Sequence, residues 1–393
     1  MPPKPKRLAL RNASPRQRWV ILVLWTMTLL LAACVPIAPA DQSTETSATT
    51  NKPPAANDVT TPETLAAIER VESALDNYYA AKLFSGVALI AQDGKILWSK
   101  GWGMADRQGA IPNTPQTIFR IYQTTVQFTA AALLLLEQEG KLTMADPICN
   151  YLDDCPATWQ PITIHHLLSH TAGIPDLFDI AEHEMNTYIR QGVTLPELVA
   201  LFHDQPLSFP PGERRVWSRS GFVLAGLIIE RVSGQTYGDF VEQHLFQPLG
   251  MTHSGYGERK EGMALGYPSG SAIDPVVVDV SALYAAAGLY STAEDLFRWN
   301  EALYNGELLD ETRLEEMLTW HATTDNNRGS GYGIVVDEVD GRKRAGNGGI
   351  QTGYAARIIR YLDERVTFVL LSNQDMEIFA LGEPLDTLFF GVK

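Results

Sequence analysis

The apolar segment Phe119–Leu142 constrains the fold of this chain more than any other stretch. Nearly every residue from Phe128 to Leu136 is phenylalanine, alanine or leucine, and a helix that is apolar all round belongs in a protein core. The segment begins polar at Gln123, and Gly140 stands where a C-cap glycine would end a helix. We therefore predict one long buried helix whose first turn, with its outward-pointing N–H groups, lies at the edge of a cleft.

The residues before this helix predict a further helix and then a β-hairpin. Glu63–Leu83 is the predicted helix, with Thr61 as N-cap and Pro62 as its first residue. Its apolar face would consist of residues at helical spacing, namely Leu65, Ile68, Val71, Leu75 and Tyr79. Two strands joined by an Asp93-Gly94 turn would follow, over Val87–Ala91 and Lys95–Lys100.

The C-terminal part predicts an antiparallel sheet. Its strands are expected at Gly331–Val336, Lys343–Gly346, Ala355–Leu362 and Val366–Ser372. A final helix, Leu381–Phe390, would pack beside the first helix of the domain. Between the two halves, Ala181–Leu207 is mostly helical in pattern and predicts part of an all-helical insertion.

The N-terminal residues predict export and lipid anchoring. Residues 1–33 form the predicted signal, because six basic residues and no acidic one precede an uncharged apolar run. The run ends in Leu-Ala-Ala-Cys, which resembles a bacterial lipobox and makes Cys34 the expected lipidation site. A transmembrane anchor is the alternative, although a spanning helix needs about 20 apolar residues. Residues 34–62 predict a disordered tether and residues 63–393 the folded domain. The expected location is extracytoplasmic, on a membrane of a bacterial envelope.

Charge excludes some classes of partner. The formal net charge is −15, and removal of the six basic residues of the signal would leave an even more acidic chain. Such a chain is a poor candidate for binding nucleic acid or anionic lipid. Attachment to a membrane would therefore depend on the lipid at Cys34.

Several segments resemble the class C β-lactamases, the low-molecular-weight penicillin-binding proteins (DD-peptidases) and related esterases. That family carries Ser-x-x-Lys at the start of the buried helix, where the two residues share a helix face. Here the two positions hold Gln123 and Val126. Ile164–Asp176, IHHLLSHTAGIPD, resembles the family segment HLLxHTSGLPD. The resemblance runs from about residue 65 to residue 390. It implies an α/β (α+β) fold of the β-lactamase/transpeptidase type, with an antiparallel sheet flanked by the N- and C-terminal helices and an all-helical subdomain.

The other two catalytic motifs of the family are also altered. The Tyr-x-Asn motif is replaced by Trp217-Ser218-Arg219, and an indole N–H can donate a hydrogen bond but cannot take a proton. The Lys-Thr-Gly or His-x-Gly motif is replaced by Asn347-Gly348-Gly349. Every motif position that carries chemistry is therefore substituted: Gln123, Val126, Trp217, Arg219 and Asn347. The resemblance implies a serine hydrolase scaffold, and the substitutions predict a non-catalytic pseudoenzyme without cofactor.

Three functions remain open for such a scaffold. The cleft would bind a peptide or peptidoglycan-like carboxylate, or an envelope partner, through Gln123, Arg219, Asn347 and Gly349. Arg219 would instead pair with a nearby acid or face solvent if it has no such role. An active hydrolase would need a relocated hydroxyl, for which the candidates are Thr124, Thr125, Ser218 and Ser220, with Tyr122 as a base. A structural lipoprotein with a vestigial cleft is the third possibility.

Cysteine and histidine usage completes the candidate sites. If Cys34 is acylated, Cys149 and Cys155 remain, and we hypothesise that they form a disulfide; two free thiols are the alternative. His165, His166 and His170 lack the spacing and the carboxylate of a HExxH zinc site. We therefore predict that His170 packs and orders a turn, and we predict no metal site.

Overall fold

The computed structural model describes residues 61–268, 275–276, 278–324, 328–376 and 378–391. The predicted signal, Cys34 and the tether as far as residue 60 lie outside these residues. The described α-helices are α1 Pro62–Ala80, α2 Thr125–Gln138, α3 Ile164–Leu168, α4 Leu177–Ile180, α5 Glu182–Gln191, α6 Leu195–His203, α7 Arg219–Ser233, α8 Tyr237–Val241, α9 Tyr284–Ala287, α10 Ala293–Tyr304, α11 Glu311–Leu318 and α12 Ile378–Phe390. The described strands are β1 Gly86–Gln92, β2 Lys95–Trp102, β3 Met104–Asp106, β4 Ile111–Pro112, β5 Phe119–Arg120, β6 Gly255–Tyr256, β7 Leu289–Ser291, β8 Ala322–Thr323, β9 Gly329–Ser330, β10 Val335–Val339, β11 Arg342–Gln351, β12 Tyr354–Tyr361 and β13 Val366–Ser372.

Eight of the strands form one antiparallel sheet in the order β2-β1-β13-β12-β11-β10-β9-β8. Side chains alternate between its two faces, so that Val87 and Leu89 of β1 enter one core while Ala88 and Ile90 enter another. Helices α1 and α12 share the second core with the sheet, and α2 lies in the first and larger core. This arrangement is the predicted mixed fold, an antiparallel sheet flanked by the terminal helices.

The first hairpin forms as predicted. Asp93 and Gly94 have φ of 49° and 75°, and positive φ at both central residues is the requirement of a type I′ turn. Gln92 pairs with Lys95, so the loop has two residues. An Asp-Gly pair makes this turn because both residues tolerate the left-handed region.

Helix α1 also begins where the sequence predicts. The Thr61 hydroxyl accepts a hydrogen bond from the Thr64 N–H at 3.1 Å, and Pro62 is the first helical residue. The predicted apolar face is correct at its centre, where Ile68, Val71 and Leu75 are buried. It is wrong at both ends, since Leu65 and Tyr79 remain 48% and 45% exposed.

The prediction of a strand from Gly331 is wrong, because β10 begins only at Val335. Gly333 has φ of +64°, and a Cβ there would lie 2.5 Å from the Val126 carbonyl oxygen. The Gly331–Ile334 segment is therefore a turn pressed against the first turn of α2. This contact places the turn at the edge of the candidate site.

The predicted all-helical insertion is present, with α5 and α6 inside Ala181–Leu207. Next to it, Cys149 and Cys155 form a disulfide with their Cα atoms 5.5 Å apart. Within the described ranges, no helix combines the length and the apolar content that crossing a membrane requires.

Candidate functional site

The chain enters the site through a strained residue. The predicted start of the buried helix at Phe119 is wrong, because β5 pairs with β7 there and Tyr122–Thr124 forms a 3₁₀ turn before α2 begins. Tyr122 has φ of +41° and is fully buried, a combination that costs on the order of 1–3 kcal/mol. Its ring packs edge-on against Tyr354 at 5.7 Å, which holds the chain in this conformation. The strain sets the direction of the next residue, Gln123.

Gln123 lies directly against β11. Its side chain is 6% exposed, and its Nε2 donates to the Ile350 carbonyl at 3.4 Å. A Cβ at Gly349 would stand 2.1 Å from Gln123 Oε1 and 2.7 Å from Gln123 Cβ. Only glycine fits at position 349, because the helix start and the strand approach each other this closely. Oε1 of Gln123 is buried without a hydrogen-bond partner.

The edge of β11 beside Gln123 is capped by side chains. Strand β10 pairs only with the first half of β11, as far as Gly346, so none of the described strands pairs with residues 347–351 on that side. The Asn347 side-chain oxygen accepts from the Gly348 N–H at 2.7 Å, and Gln123 donates to Ile350. Asn347 also donates to the Gly333 carbonyl at 2.7 Å. Groups that would bind an extended ligand on a free strand edge are thus bonded within the protein.

Val126 is fully buried in the larger core. Its carbonyl lies against Gly333, as described above, and the surrounding side chains are apolar. Burial of an unpaired charge costs several kcal/mol, so an apolar side chain suits this position.

His170 organises the loop that carries Trp217. It has φ of +60° and is 4% exposed, and its ring lies 4.2 Å from the Trp217 ring. Burial and nearby arginines hold the pKa of His170 well below its usual value. The neutral ring accepts from the Ser218 N–H through Nδ1 at 3.3 Å. The predicted packing and turn-ordering role of His170 is confirmed.

Arg219 is committed to an ion pair. Its guanidinium donates to Asp176 Oδ1 at 3.0 Å, and its backbone N–H donates to Asp176 Oδ2 at 2.6 Å. The guanidinium also lies over the Phe178 ring at 4.5 Å. This ion pair is the alternative that the sequence left open, and it neutralises the charge that the carboxylate-binding hypothesis requires.

Each candidate hydroxyl group is buried in the core or takes part in a structural hydrogen bond. Thr124 and Thr125 are fully buried, and Thr125 accepts from the Leu289 N–H at 3.2 Å. Ser218 is the N-cap of α7, and Ser220 donates to the Pro175 carbonyl at 2.8 Å. Burial raises the pKa of Tyr122 well above its usual value, which opposes its use as a base.

Trp217 and Asn347 line one cavity of about 590 Å³, which Arg219 and Gln123 do not line. Four arginines and two acids share its walls, namely Arg215, Arg328, Arg344, Arg357, Asp337 and Glu383. Arg344 makes two hydrogen bonds to Asp337, at 2.7 and 3.1 Å. Burial alone would raise the pKa of Glu383, but hydrogen bonds from Arg328 and Arg344 lower it below its usual value.

The sequence did not predict this arginine network. Four of its members lie on three strands and a helix, and Arg215 and Arg328 lie in loops. These charged residues show no spacing along the chain that would bring them together. Only the strand register, which places Arg344 opposite Asp337, makes the pairing visible.

The other two histidines of the Ile164–Asp176 segment bond locally. His165 Nδ1 lies 2.7 Å from the Tyr332 hydroxyl, and His166 closes the N-terminal capping box of α3 with Thr163. Among the described residues, no group of three histidines, cysteines or acids is arranged to hold a metal ion.

Comparison with known proteins agrees with this geometry. PbpX of Bacillus subtilis (strain 168), which is named as a penicillin-binding protein, is 34% identical over 254 residues. That match covers 62% of this chain and 61% of PbpX, so the chain spans about three fifths of that relative.

Two solved structures extend the likeness to most of the chain. A penicillin-binding protein from Bacillus halodurans is 30% identical with a TM-score of 0.73, over 81% of this chain and 99% of that one. D-amino acid amidase from Ochrobactrum anthropi SV3, in complex with D-phenylalanine, is 26% identical with a TM-score of 0.71, over 82% and 98%. The family model described as Beta-lactamase matches residues 68–385. Since this match spans most of the chain, the protein belongs to the beta-lactamase family, together with penicillin-binding proteins and D-amino acid amidases.

Proposed function

We propose that this protein is a non-catalytic, exported and lipid-anchored member of the family whose altered cleft binds an anionic ligand without acylation. The observation that carries the proposal is Gln123, which stands at the nucleophile position and is held against Gly349 and Ile350. A primary amide is not a usable nucleophile. Loss of a catalytic nucleophile alone typically costs about a millionfold in rate.

The neighbouring groups support the same conclusion. A general base must accept a proton, yet Val126 has no such group and the Trp217 indole can only donate. Asn347 uses both ends of its amide within the protein. Restoring one residue would therefore not restore a proton path.

The cavity beside Trp217 and Asn347 supports an anionic ligand. Three of its arginines, Arg328, Arg344 and Arg357, are already paired with acids of the protein. The proposal therefore depends on Arg215, which donates to Ser330 and whose guanidinium has the fork geometry that binds a carboxylate. Relatives are named for penicillin, and one solved amidase holds D-phenylalanine. A peptide ending in a D-amino acid, such as a peptidoglycan stem, is the ligand class that combines these features. Arg215 at this cavity takes the role first expected of Arg219.

Export and anchoring depend on the N-terminal residues. The proposal rests on the basic n-region, the apolar run and Cys34 in its lipobox-like setting. Metabolic labelling with a radioactive fatty acid should mark the wild-type protein and leave Cys34→Ser unlabelled. Equal labelling of both proteins would show that Cys34 is not the lipidation site.

Intact mass spectrometry tests the absence of catalysis. The purified protein is incubated with a penicillin and, separately, with a p-nitrophenyl ester, with an active penicillin-binding relative in parallel. We expect an adduct on the relative only, and no ester turnover above the uncatalysed rate. A stable adduct on Thr125, Ser218 or any other hydroxyl of the protein would overturn the proposal and favour the active hydrolase.

Calorimetry with a peptide ending in D-alanyl-D-alanine tests the ligand. Arg215→Ala should weaken binding about tenfold, since a hydrogen bond to a charged group contributes about 1.5–3 kcal/mol. Arg214→Ala is the matched control, because Arg214 is exposed, carries the same charge and does not line the cavity. Absence of binding, or equal effects of both variants, would refute the anionic ligand and favour a structural lipoprotein or one that binds an envelope partner.

A further inference from the structure

A second, larger cavity lies in the helical part of the protein, away from every motif position. It is a groove of about 770 Å³ between α6, α7 and the loop closed by the Cys149–Cys155 disulfide. This volume is in the range of about 300–1,000 Å³ that is usual for ligand pockets. Its walls are largely apolar, with Leu195, Val199 and Leu227 among the lining residues.

The wall of this groove contains an unsatisfied donor. Trp159 is 1% exposed, and its ring is held between Phe202 at 6.1 Å and His203 at 5.5 Å. Its Nε1–H has no hydrogen-bond partner among the described residues. A buried donor without a partner costs about 1–3 kcal/mol, so such a group calls for an acceptor. A ligand carbonyl would supply one once the side chains that cover this nitrogen move aside, because the nitrogen itself is closed to solvent.

The rim of the groove is acidic. Four acidic residues line it, namely Asp153, Asp154, Asp204 and Glu230, against one arginine, Arg231. The side chains of Asp153, Asp154 and Asp204 are 81%, 89% and 93% exposed. Arg231 pairs with Asp153 at 2.6 Å, and His203 lies between the other two. The exposed carboxylates therefore leave an excess of negative charge at the mouth.

We propose that this groove binds a peptide segment in which an apolar side chain lies beside a lysine or arginine. The apolar side chain enters between α6 and α7, a backbone carbonyl accepts from the Trp159 N–H, and the basic side chain meets the carboxylates of the rim. A short peptide carries all three groups within one or two residues. The site is separate from the cleft of the proposed function, so failure of either leaves the other standing.

Titration of ¹⁵N-labelled protein tests the proposal through its tryptophan indole signals. The probe is the blocked hexapeptide Gly-Leu-Lys-Phe-Lys-Gly, and the matched control peptide has glutamate in place of both lysines. The Trp159 signal, assigned by its loss in Trp159→Phe, should move downfield and saturate with the basic peptide only. An unmoved Trp159 signal, or equal binding of the acidic peptide, would overturn the proposal.

Two variants separate binding from structure. Trp159→Phe keeps a six-membered aromatic ring and removes the N–H, so we expect about tenfold weaker binding. The small cavity that it leaves should lower the thermal midpoint by a few degrees while the protein stays folded by circular dichroism. Asp154→Asn should weaken binding severalfold, and its exposed position leaves folding intact. The controls Trp320→Phe and Asp363→Asn make the same chemical changes at exposed sites elsewhere, and both should bind as wild type. Wild-type affinity in Trp159→Phe and Asp154→Asn would refute the assignment.

Discussion

The contact between Gln123 and Gly349 makes a graded prediction about stability. In Gly349→Ala, the new Cβ would meet Gln123 Oε1 at 2.1 Å, Cβ at 2.7 Å and Cδ at 2.9 Å. The amide end can swing away, but the Cβ contact is fixed by two backbones. Overpacking of this kind costs about 1–3 kcal/mol, and we expect the upper half of that range.

Shortening residue 123 should relieve the clash in steps. In a Gln123→Ala background two of the three contacts vanish, so the cost of Gly349→Ala should fall to about 1–2 kcal/mol. In a Gln123→Gly background all three vanish and the cost should approach zero. The coupling energy between the two positions should then be about 2 kcal/mol, within the range found for residues in contact.

Urea unfolding followed by circular dichroism measures each free energy of unfolding. Gly221→Ala is the control, because a Cβ there would meet Leu167 only at ordinary distances of 3.6–3.8 Å. Alanine also suits a helix better than glycine, so this variant should be neutral or slightly stabilised. Equal costs of Gly349→Ala in all three backgrounds would show that residue 123 does not fill the space beside β11.

Three further predictions concern an ion pair, a histidine and the disulfide. Arg219→Ala should lower the free energy of unfolding by about 3 kcal/mol in urea titrations, because it removes the positive charge beside the 3% exposed Asp176 carboxylate and leaves only hydrogen bonds from backbone N–H groups. A loss below 0.5 kcal/mol would contradict this. Burial, with His321 and His166 nearby, lowers the pKa of His165 to about 4. The folded state therefore binds this proton less readily than the unfolded state does, and the free energy of unfolding should fall as pH drops from about 6.5 towards 4. That fall should be smaller in His165→Gln by on the order of 1–2 kcal/mol, allowing for the partial exposure of the ring. The double variant Cys149→Ser/Cys155→Ser should lower the free energy of unfolding by about 2 kcal/mol, which is the loop-closure contribution expected for so short a loop. An unchanged urea midpoint would contradict this prediction.

Features that depend on neighbours along the chain were predictable. The Asp93-Gly94 turn and the Thr61 cap follow from local geometry, and the strand Val366–Ser372 follows from its β-branched and apolar composition. The helix start at Phe119 was not predictable, because pairing of β5 with β7 competes with helix formation there. Leu65 and Tyr79 match the helical pattern, but no element of the described chain covers the two ends of that face.

The sequence by itself determined which chemical groups stand in the segments that resemble the family motifs, and from it we predict that an amide replaces the nucleophile and a valine the lysine. Only the tertiary structure decided what those groups do. Arg219 bonds to Asp176, Asn347 caps the turn at Gly333, and Gln123 seals the edge of β11. The physical reason is that a polar side chain binds whichever partner packing brings within about 3 Å, and that partner is set by contacts between distant segments rather than by neighbours in the chain.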